Sequence, residues 1–306
     1  MNETVSLVTG ATGGLGQVIA RELVRRGGTV VVVARNAARG LQLQEALGSD
    51  RVEVLTADLS SPVEVHRLAA RVAARHAALH LLINNAGAHF PHRSVNADGV
   101  EMHIAANHLG GFLLTNLLRP SLLNGAPARV VNVVSGAMLD TRQIKLGRHP
   151  RPVSLEPADD LTDLTGLNGE DGYQPFIAYA RAKLLSLMAG YRLAETLEGT
   201  GVTVNAVNPG VVATKIIDDM TSTALKPFSG MIKRSLLTPE EGAEAILQVA
   251  TAPELADVSG RYFDRHDETR TSAVSYDRAL QEWVWNSSSV YLSPARQSAT
   301  PEQDHQ

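Results

Sequence analysis

The chain has 306 residues, of which 44% are hydrophobic and 20% are charged, and its formal net charge is −4. A chain of this length and composition can bury a sizeable core, as one large domain or two small ones. The mild acidity gives no electrostatic reason to expect nucleic acid or an anionic membrane as a partner. The chain has no cysteine, which excludes disulfides, zinc–thiolate sites and thiol nucleophiles.

Neither the N-terminus nor any internal run indicates export or membrane insertion. The N-terminus lacks a basic segment followed by an apolar one, and no apolar run reaches the ~18 residues of a membrane span. We therefore expect a cytoplasmic protein without a membrane span. Residues 294–306 are polar, and we expect them to form a disordered tail.

In the first half of the chain, short apolar runs alternate with longer amphipathic stretches. The predicted strands are Val5–Thr9, Thr29–Ala34, Val52–Thr56, Leu79–Asn84 and Arg129–Ser135. The predicted helices are Leu15–Arg26, Ala37–Leu47, Pro62–Ala77 and Gly99–Leu123. Because the strands are apolar along their whole length, rather than at alternate positions, they suit a parallel sheet covered on both faces.

The alternation of predicted strands and helices stops over residues 138–174, which are polar and rich in proline, and we expect an insertion there. It resumes with helices Phe176–Glu198 and Pro239–Ala250 and with strands Val202–Val207 and Gly260–Phe263. Alternating strands and helices predict an α/β, doubly wound Rossmann fold with a parallel sheet of about seven strands flanked by helices. No linker divides the chain, so residues 1–293 are expected to form a single domain.

A glycine-rich turn joins the first predicted strand to the first helix. Glycines allow positive φ angles and a close approach of the backbone to a pyrophosphate, and the helix N-terminus offers free N–H groups. The strand–turn–helix context favours dinucleotide binding over an ordinary glycine-rich turn. The candidate cofactor-binding residues here are Gly10, Thr12, Gly13, Gly14, Leu15 and Gly16.

The end of the second strand bears on the choice of dinucleotide. NAD-preferring sites normally place an acid near this point to hold the ribose hydroxyls. This chain has Ala34 followed by Arg35, and a guanidinium can pair with a 2′-phosphate. NADP(H) is therefore favoured over NAD(H), although Arg35 could also be a solvated residue that opens a helix.

Five motifs occur in a fixed order along the chain: Thr9-Gly-x-x-x-Gly-x-Gly16, Asn84-Asn85-Ala86-Gly87, Ser135, Tyr179-x-x-x-Lys183 and Pro209-Gly210. In this order they resemble those of the short-chain dehydrogenases/reductases, and the resemblance covers roughly residues 4–265. The stretch from Asn107 to Leu118 is similar to the retinol-dehydrogenase-like branch of that family.

The chemistry of the fourth motif can be argued from the residues alone. Tyr179 and Lys183 lie four apart, on one face of a helix. A phenol has a pKa near ~10, and a nearby ammonium and an oxidised nicotinamide are expected to lower it. Tyr179 can then act as general acid or base on a carbonyl or alcohol, while Ser135 holds the substrate oxygen. The alternatives are a core tyrosine, a surface lysine and a strand-end serine.

The resemblance implies further roles. Asn107 matches the fourth catalytic position, which holds a water that links the lysine to solvent. Lys183 should also bind the nicotinamide ribose. Asp58 and Leu59 match residues near the adenine, although Asp58 could instead form the helix cap before Pro62. Cofactor contacts are also implied for Asn85, Ala86, Gly87, Pro209, Gly210, Val212 and Thr214, whereas Asn84 is expected to brace neighbouring strands.

The insertion before Tyr179 departs from the family pattern, because 44 positions separate Ser135 from Tyr179. It could form a lid or wall over a bulky substrate, or a surface loop. The Met, Leu and Phe residues within the insertion and the loop 215–237 favour a fairly apolar, larger carbonyl or alcohol as the substrate. His89 and His92 are interpreted as residues of a solvated loop, and no metal site is expected.

The resemblance implies an NADP(H)-dependent ketoreductase or alcohol dehydrogenase. Relatives commonly form homodimers or homotetramers through the helices that carry the residues matching Asn107 and Tyr179. Two alternatives remain open: a non-redox role such as cyclisation or dehydration, and a binding module that senses the cofactor without turnover.

Overall fold

The structure is a computed structural model, and it describes residues 4–48, 50–142, 151–155, 163–214, 216, 219 and 236–293. These residues form an eight-stranded sheet with the order β3-β2-β1-β4-β5-β6-β7-β8. Its strands are β1 (Val5–Thr9), β2 (Thr29–Ala34), β3 (Val52–Thr56), β4 (Leu81–Asn84), β5 (Ala128–Val133), β6 (Val202–Asn208), β7 (Tyr262–Asp264) and β8 (Asp267–Glu268). Seven strands are parallel and β8 adds an antiparallel edge, which confirms the predicted parallel sheet.

Helices cover both faces of the sheet. They are α1 (Gly14–Arg25), α2 (Ala37–Leu47), α3 (Pro62–Arg75), α4, α5 (Arg119–Asn124), α6 (Pro175–Thr196), α7 (Pro239–Thr251) and α8 (Arg278–Ser289). We use α4 for three consecutive pieces: Met102–Ile104, a π-helical turn over Ala105–Leu109, and Gly110–Leu117. The predicted doubly wound α/β architecture is therefore confirmed.

Local signals in the sequence fix where several helices begin. Ser61 accepts a hydrogen bond from the main-chain N–H of Glu64 and precedes Pro62, so α3 begins there. At α7, Thr238 and Glu241 cap each other's backbone N–H groups. Such caps satisfy amide groups that the first helical turn leaves unpaired.

The sheet order places a crevice at the carboxyl ends of the strands. The chain leaves β1 towards β2 on one side, whereas β4 pairs with β1 on the other side. At such a switch point the two adjoining connections diverge, and ligands of open α/β sheets bind there. The residues that follow β1, β4 and β5 are Gly10, Asn85 and Val134, and they border this crevice.

Two helical segments differ from the sequence-based expectation. The helix predicted over Gly99–Leu123 is interrupted, because Pro120 restarts the chain in α5 and Gly99 lies before the helix with φ of 78°. Helix α8 was not predicted. It packs against the same core as α4 and α6, with Val284 fully buried.

The described parts of the insertion pack onto the domain. Val153, Leu155, Leu164 and Leu167 are all buried in the core cluster that includes α4 and α6. The tail 294–306 lies outside the described residues, as does most of the loop 215–237. None of the described helices is both long enough and apolar enough to cross a bilayer.

Candidate active site

A single cleft of about 870 Å³ opens at the carboxyl edge of the sheet. Every cofactor-binding candidate named from the sequence lines it: Gly10, Thr12, Gly13, Gly14, Leu15, Gly16, Arg35, Asp58, Leu59, Asn85, Ala86, Gly87, Tyr179, Lys183, Pro209, Gly210, Val212 and Thr214. Ser135 also lines it, whereas Asn107 lies behind it. Residues separated by more than 200 positions therefore share one concave site.

The glycine-rich turn is shaped by close backbone contacts. Gly10 has φ of 66°, and a Cβ there would lie 2.8 Å from the Cα of Ala86. A Cβ on Gly16 would lie 2.4 Å from the carbonyl oxygen of Gly10. At Gly13, by contrast, a Cβ would meet no atom within 4 Å. The turn is thus packed tightly against β4 but exposes bare main chain to the cleft.

Helix α1 begins at this turn without a side-chain cap among the described residues. Its first N–H groups and the positive end of its dipole therefore suit an anion. Asn85 holds the turn from the other side, since its Nδ2 donates to the main-chain oxygen of Thr9 at 2.8 Å. These features fit the pyrophosphate of a dinucleotide.

Two arginines line the cleft where β2 meets α2. Arg35 follows the last residue of β2, and Arg39 lies in the first turn of α2. The side chain of Asn36 caps this helix by accepting from the N–H of Arg39 at 3.0 Å. Sequence reasoning named only Arg35; the four-residue spacing to Arg39, across a helix start, was the signal that could have found the second arginine.

Asp58 does two things. It lines the cleft, and its Oδ1 accepts from the N–H and the hydroxyl of Ser60 at 2.9 and 2.8 Å. Its own N–H donates to Oε2 of Glu64 at 2.7 Å. Asp58 therefore holds the turn before α3 at the edge of the cleft, whereas the helix cap itself is Ser61 and not Asp58.

Tyr179 lies on α6 with only 6% of its surface exposed. Burial raises the pKa of its phenol to about 12, and a hydrogen bond with Ser135 acts in the opposite direction. Burial dominates in the protein alone, and the lowering expected from the ammonium together with an oxidised nicotinamide stays a prediction. Ser135 and Tyr179 line the same cleft.

Lys183 is one turn further along α6 and is 3% exposed. Its Nζ lies 5.8 Å from the centre of the Tyr179 ring and donates to the main-chain oxygen of Val133 at 2.9 Å. Burial lowers the pKa of Lys183 to about 8. The ammonium is thus held at the end of β5, in the cleft wall and beside the phenol.

Asn107 lies in the π-helical turn of α4. Its side chain holds Ala88 from both sides: Oδ1 accepts from the N–H at 2.7 Å, and Nδ2 donates to the carbonyl at 2.9 Å. Its main-chain oxygen accepts from the hydroxyl of Ser186 at 2.9 Å. The structure thus shows Asn107 fixing the loop after β4, and the water-holding role stays a prediction.

Asn84 braces the sheet as expected from the sequence. Its Nδ2 donates to Asn132 of β5 at 2.9 Å and to Thr115 of α4 at 2.8 Å.

The substrate side of Tyr179 contains residues that sequence reasoning placed elsewhere. His89 was interpreted as solvated, but it is 8% exposed, and its ring centre lies 6.2 Å from that of Tyr179. His92 is exposed, as expected. From the insertion, Asp140 and Arg142 line the cleft. The first residues of the insertion therefore lie in the wall of the cleft, whereas its described parts 151–155 and 163–174 do not line it.

Comparison with known proteins agrees with this geometry. A family model described as short chain dehydrogenase matches residues 4–144. Polyprenol dehydrogenase of Danio rerio is 36% identical over 297 residues, which cover 94% of this chain and 86% of the relative. The chain belongs to the short-chain dehydrogenase/reductase family.

Further relatives place it in the retinol-dehydrogenase-like branch of that family. Retinol dehydrogenase 12 of Bos taurus is 36% identical over 294 residues, with 94% of this chain and 86% of the relative covered. Retinol dehydrogenase 11 of Homo sapiens is 33% identical over 286 residues, with 92% and 83% covered. The sequence-based resemblance to this branch is confirmed.

Solved structures of the family share the fold. An uncharacterized protein from Mycobacterium paratuberculosis superposes with a TM-score of 0.69 at 29% identity, covering 95% of this chain and 93% of that one. A variant of actinorhodin polyketide ketoreductase, solved with NADPH, gives 0.62 at 24% identity, covering 86% and 95%.

Proposed function

We propose that this oxidoreductase is NADP(H)-dependent and interconverts a ketone or aldehyde with the corresponding alcohol. The observation that carries the proposal is that Ser135, Tyr179 and the buried Lys183 ammonium, 5.8 Å from the phenol ring, line the same cleft as the glycine-rich turn. A proton donor, an oxygen-binding hydroxyl and a dinucleotide cradle therefore border one space.

The preference for NADP(H) rests on Arg35 and Arg39. Both guanidinium groups are exposed and line the end of the cleft next to β2, where an adenine ribose is held in this fold. A 2′-phosphate carries negative charge that two guanidinium groups can bind. NAD(H) lacks that phosphate, so it gains less from this pair.

NADPH, when bound, supplies a hydride to the carbonyl carbon of the substrate. Ser135 then holds the carbonyl oxygen near the phenol, and Tyr179 donates its Oη proton to that oxygen as the alcohol forms. A pKa of about 12 keeps the phenol protonated at neutral pH, which is the form needed for reduction. Lys183, at the end of β5, stabilises the phenolate that remains.

We propose that the substrate is bulky and fairly apolar. Two of the relatives are named for retinol and polyprenol, which are long apolar alcohols. In this chain, Phe176, Ile216, Val211 and Ala137 supply apolar lining to the cleft. The proposal extends the relatives' substrate type to this chain on that shared character.

The expectation of a homodimer or homotetramer stays a prediction. The helices meant to form the interface, α4 and α6, are contacted by α8 of the same chain. The ring of Trp285 lies 5.1 Å from that of Phe112, and the hydroxyl of Ser288 lies 2.8 Å from Nε2 of His108. A second copy would have to bind beside α8.

The decisive experiment measures binding of NADPH and NADH to the purified protein, then loss of reduced-nicotinamide absorbance with retinal, long-chain aldehydes, ketones and quinones. Tighter binding of NADPH and turnover that requires Tyr179 support the proposal. Tight binding without oxidation of NADPH by any member of the panel would contradict it and favour a non-redox or sensing role.

A further inference from the structure

A buried carboxylate lies behind the substrate side of Tyr179, and no part of the proposed reaction uses it. Glu101 is fully buried at the start of α4. Its Oε1 accepts from Nδ1 of His103 at 2.8 Å and from the hydroxyl of Tyr173 at 2.9 Å. Its Oε2 accepts from Nδ2 of Asn168 at 3.0 Å.

The carboxylate is ionised despite its burial. Burial raises the pKa of Glu101, but the hydrogen bonds from His103 and Asn168 outweigh it and leave the pKa below its usual value. The main-chain N–H groups of His103 and Ile104 also point to it, at 3.1 and 3.4 Å. An anion in the interior is tolerated only where donors surround it in this way.

His103 connects Glu101 to the surroundings of the catalytic tyrosine. Since its Nδ1 donates to Glu101, its Nε2 is free to accept from the main-chain N–H of Phe90 at 3.0 Å. The His103 ring lies 6.2 Å from the ring of Tyr179 and 5.3 Å from that of His89. The imidazole of His103, which is itself fixed, therefore holds the loop after β4 next to the phenol of Tyr179.

The same carboxylate anchors the end of the insertion. Asn168 and Tyr173 both come from this segment, and both donate to Glu101. Asn168 also accepts at Oδ1 from Arg181 at 3.1 Å, and Arg181 lies on α6 between Tyr179 and Lys183. The start of α4 and the end of the insertion thus meet at the Glu101 carboxylate. Asn168 connects both to α6, two residues after Tyr179.

We propose that Glu101 and His103 are positioning residues for the substrate side of the active site. The pair anchors the loop 88–90 through Phe90 and the arm 163–174 through Asn168 and Tyr173, and so fixes the surroundings of Tyr179. This inference rests on the proposed function, because its consequence is the rate of proton transfer from Tyr179. Neither residue contacts the reacting atoms; both act through the backbone of Phe90 and through the insertion.

The test first disrupts the hydrogen bond between Glu101 and Asn168 and then restores it with a second substitution. Glu101→Gln removes the charge and replaces one carboxylate oxygen with an amide NH2, so that a donor can face the Nδ2 donor of Asn168. Adding Asn168→Asp restores an acceptor and a negative charge at the same contact, and the new carboxylate can still accept from Arg181. Glu170→Gln is the matched control, because Glu170 lies on the same arm with its side chain 86% exposed.

We expect Glu101→Gln to lower kcat by about ten- to a hundredfold, since small displacements at an active site have effects of that size. The dissociation constant of NADPH should change less than about twofold, because the cofactor half of the cleft is untouched. The double variant should recover most of the rate, and Glu170→Gln should match the wild type. Tyr173→Phe, which removes one donor and keeps the ring, should give a smaller loss and guards against a variant that does not fold.

A second readout does not need turnover. The ring-carbon resonance of Tyr179, assigned in 13C-tyrosine-labelled protein by its loss in Tyr179→Phe, should shift in Glu101→Gln and return in the double variant. If that resonance and kcat are the same in all folded variants, the positioning role is overturned. If the resonance shifts and returns but the wild type oxidises no NADPH, the positioning stands and the proposed function fails.

Discussion

The Nζ of Lys183 donates to the main-chain oxygen of Val133 at 2.9 Å, and among the described residues no carboxylate is paired with this ammonium. A buried charge without a counter-ion is unfavourable for folding. Burial accordingly lowers the pKa of Lys183 to about 8. The protein tolerates a cost in stability at the point where the proposed chemistry needs a positive charge.

That cost can be measured. A pKa lowered from 10.5 to about 8 corresponds to about 3 kcal/mol of unfavourable free energy at pH 7. Lys183→Met removes the charge but leaves the carbonyl of Val133 unpaired, so we expect a net stabilisation of about 1–2 kcal/mol with loss of turnover. Urea unfolding measures it, with Arg192→Met on the same helix as control.

The unfavourable contribution of Lys183 to stability should change with pH in a known direction. Between about pH 8 and pH 10.5 the unfolded chain binds the proton that the folded protein has released, so the unfavourable contribution of Lys183 fades as pH rises through this window. The advantage of Lys183→Met should therefore shrink above pH 8. A variant that is less stable than the wild type at pH 7 would contradict this account.

Turnover should depend on the hydroxyl of Tyr179 and not on tyrosine hydroxyls in general. Tyr179→Phe keeps the ring that packs against His89 and His103 but removes the proton donor. We expect kcat to fall by about 10²–10⁴-fold while NADPH binding is retained. Tyr191→Phe is the control on the same helix, because the Tyr191 hydroxyl lies 3.1 Å from the hydroxyl of Thr271, away from the cleft.

The two arginines at β2 and α2 should separate the cofactors. Arg35→Ala and Arg39→Ala are each expected to weaken NADPH binding by about tenfold and to leave NADH binding nearly unchanged, because only NADPH carries the 2′-phosphate. The loss should be smaller at high salt, which screens exposed charges. Arg21→Ala, an exposed change on α1, is the control, and equal losses for both cofactors would show that the arginines do not read the phosphate.

Two glycines of the glycine-rich turn allow an effect on cofactor binding to be separated from an effect on folding. Gly13 has extended backbone, with φ of 179°, and open space where a Cβ would lie, so Gly13→Ala should fold normally. Its methyl group faces the cleft and should weaken NADPH binding by about tenfold. Gly16→Ala should lower the thermal midpoint as well, because its Cβ would lie 2.4 Å from the oxygen of Gly10. Equal behaviour of the two variants would count against this distinction.

The sequence was sufficient for the parallel strands, because each is a short, mostly apolar run. It was also sufficient for the lining of the cleft, since strand ends of a parallel sheet meet at one edge. It did not reveal Arg39, whose place depends on the helix start at Asn36. It did not reveal Glu101 or His103 either, since a buried hydrogen-bonded pair has no periodic signal in the chain.

The pKa of Tyr179 shows what spacing in the sequence leaves out. It was expected to fall because an ammonium and an oxidised nicotinamide lie near the phenol, but the sequence does not show how deeply the phenol is buried. Burial to 6% exposure outweighs the hydrogen bond from Ser135. His89 was placed in a solvated loop for a similar reason: a polar residue after a strand was interpreted as solvated, whereas its ring lies against His103 of α4 and Tyr179 of α6.

Stability towards acid should depend on one histidine outside the active site. His108 is 2% exposed in α4, and its Nε2 contacts the hydroxyl of Ser288 on α8 at 2.8 Å. Burial lowers its pKa from 6.5 to about 3. Because the folded pKa lies below the unfolded one, the unfolded chain binds more protons between those values, and stability falls as pH falls through that window.

At pH 5 this single group should remove about 2 kcal/mol of the free energy of unfolding present at pH 7.5. His108→Gln keeps a polar group that can reach Ser288 but does not titrate. We therefore expect the variant to be less stable than the wild type at pH 7.5, because its packing is changed, and to close the gap by about 2 kcal/mol at pH 5. Urea unfolding at the two pH values measures both quantities, with His92→Gln as the exposed control. A gap that stays constant with pH would mean that the pKa of His108 is the same in the folded and the unfolded protein, which would contradict this account.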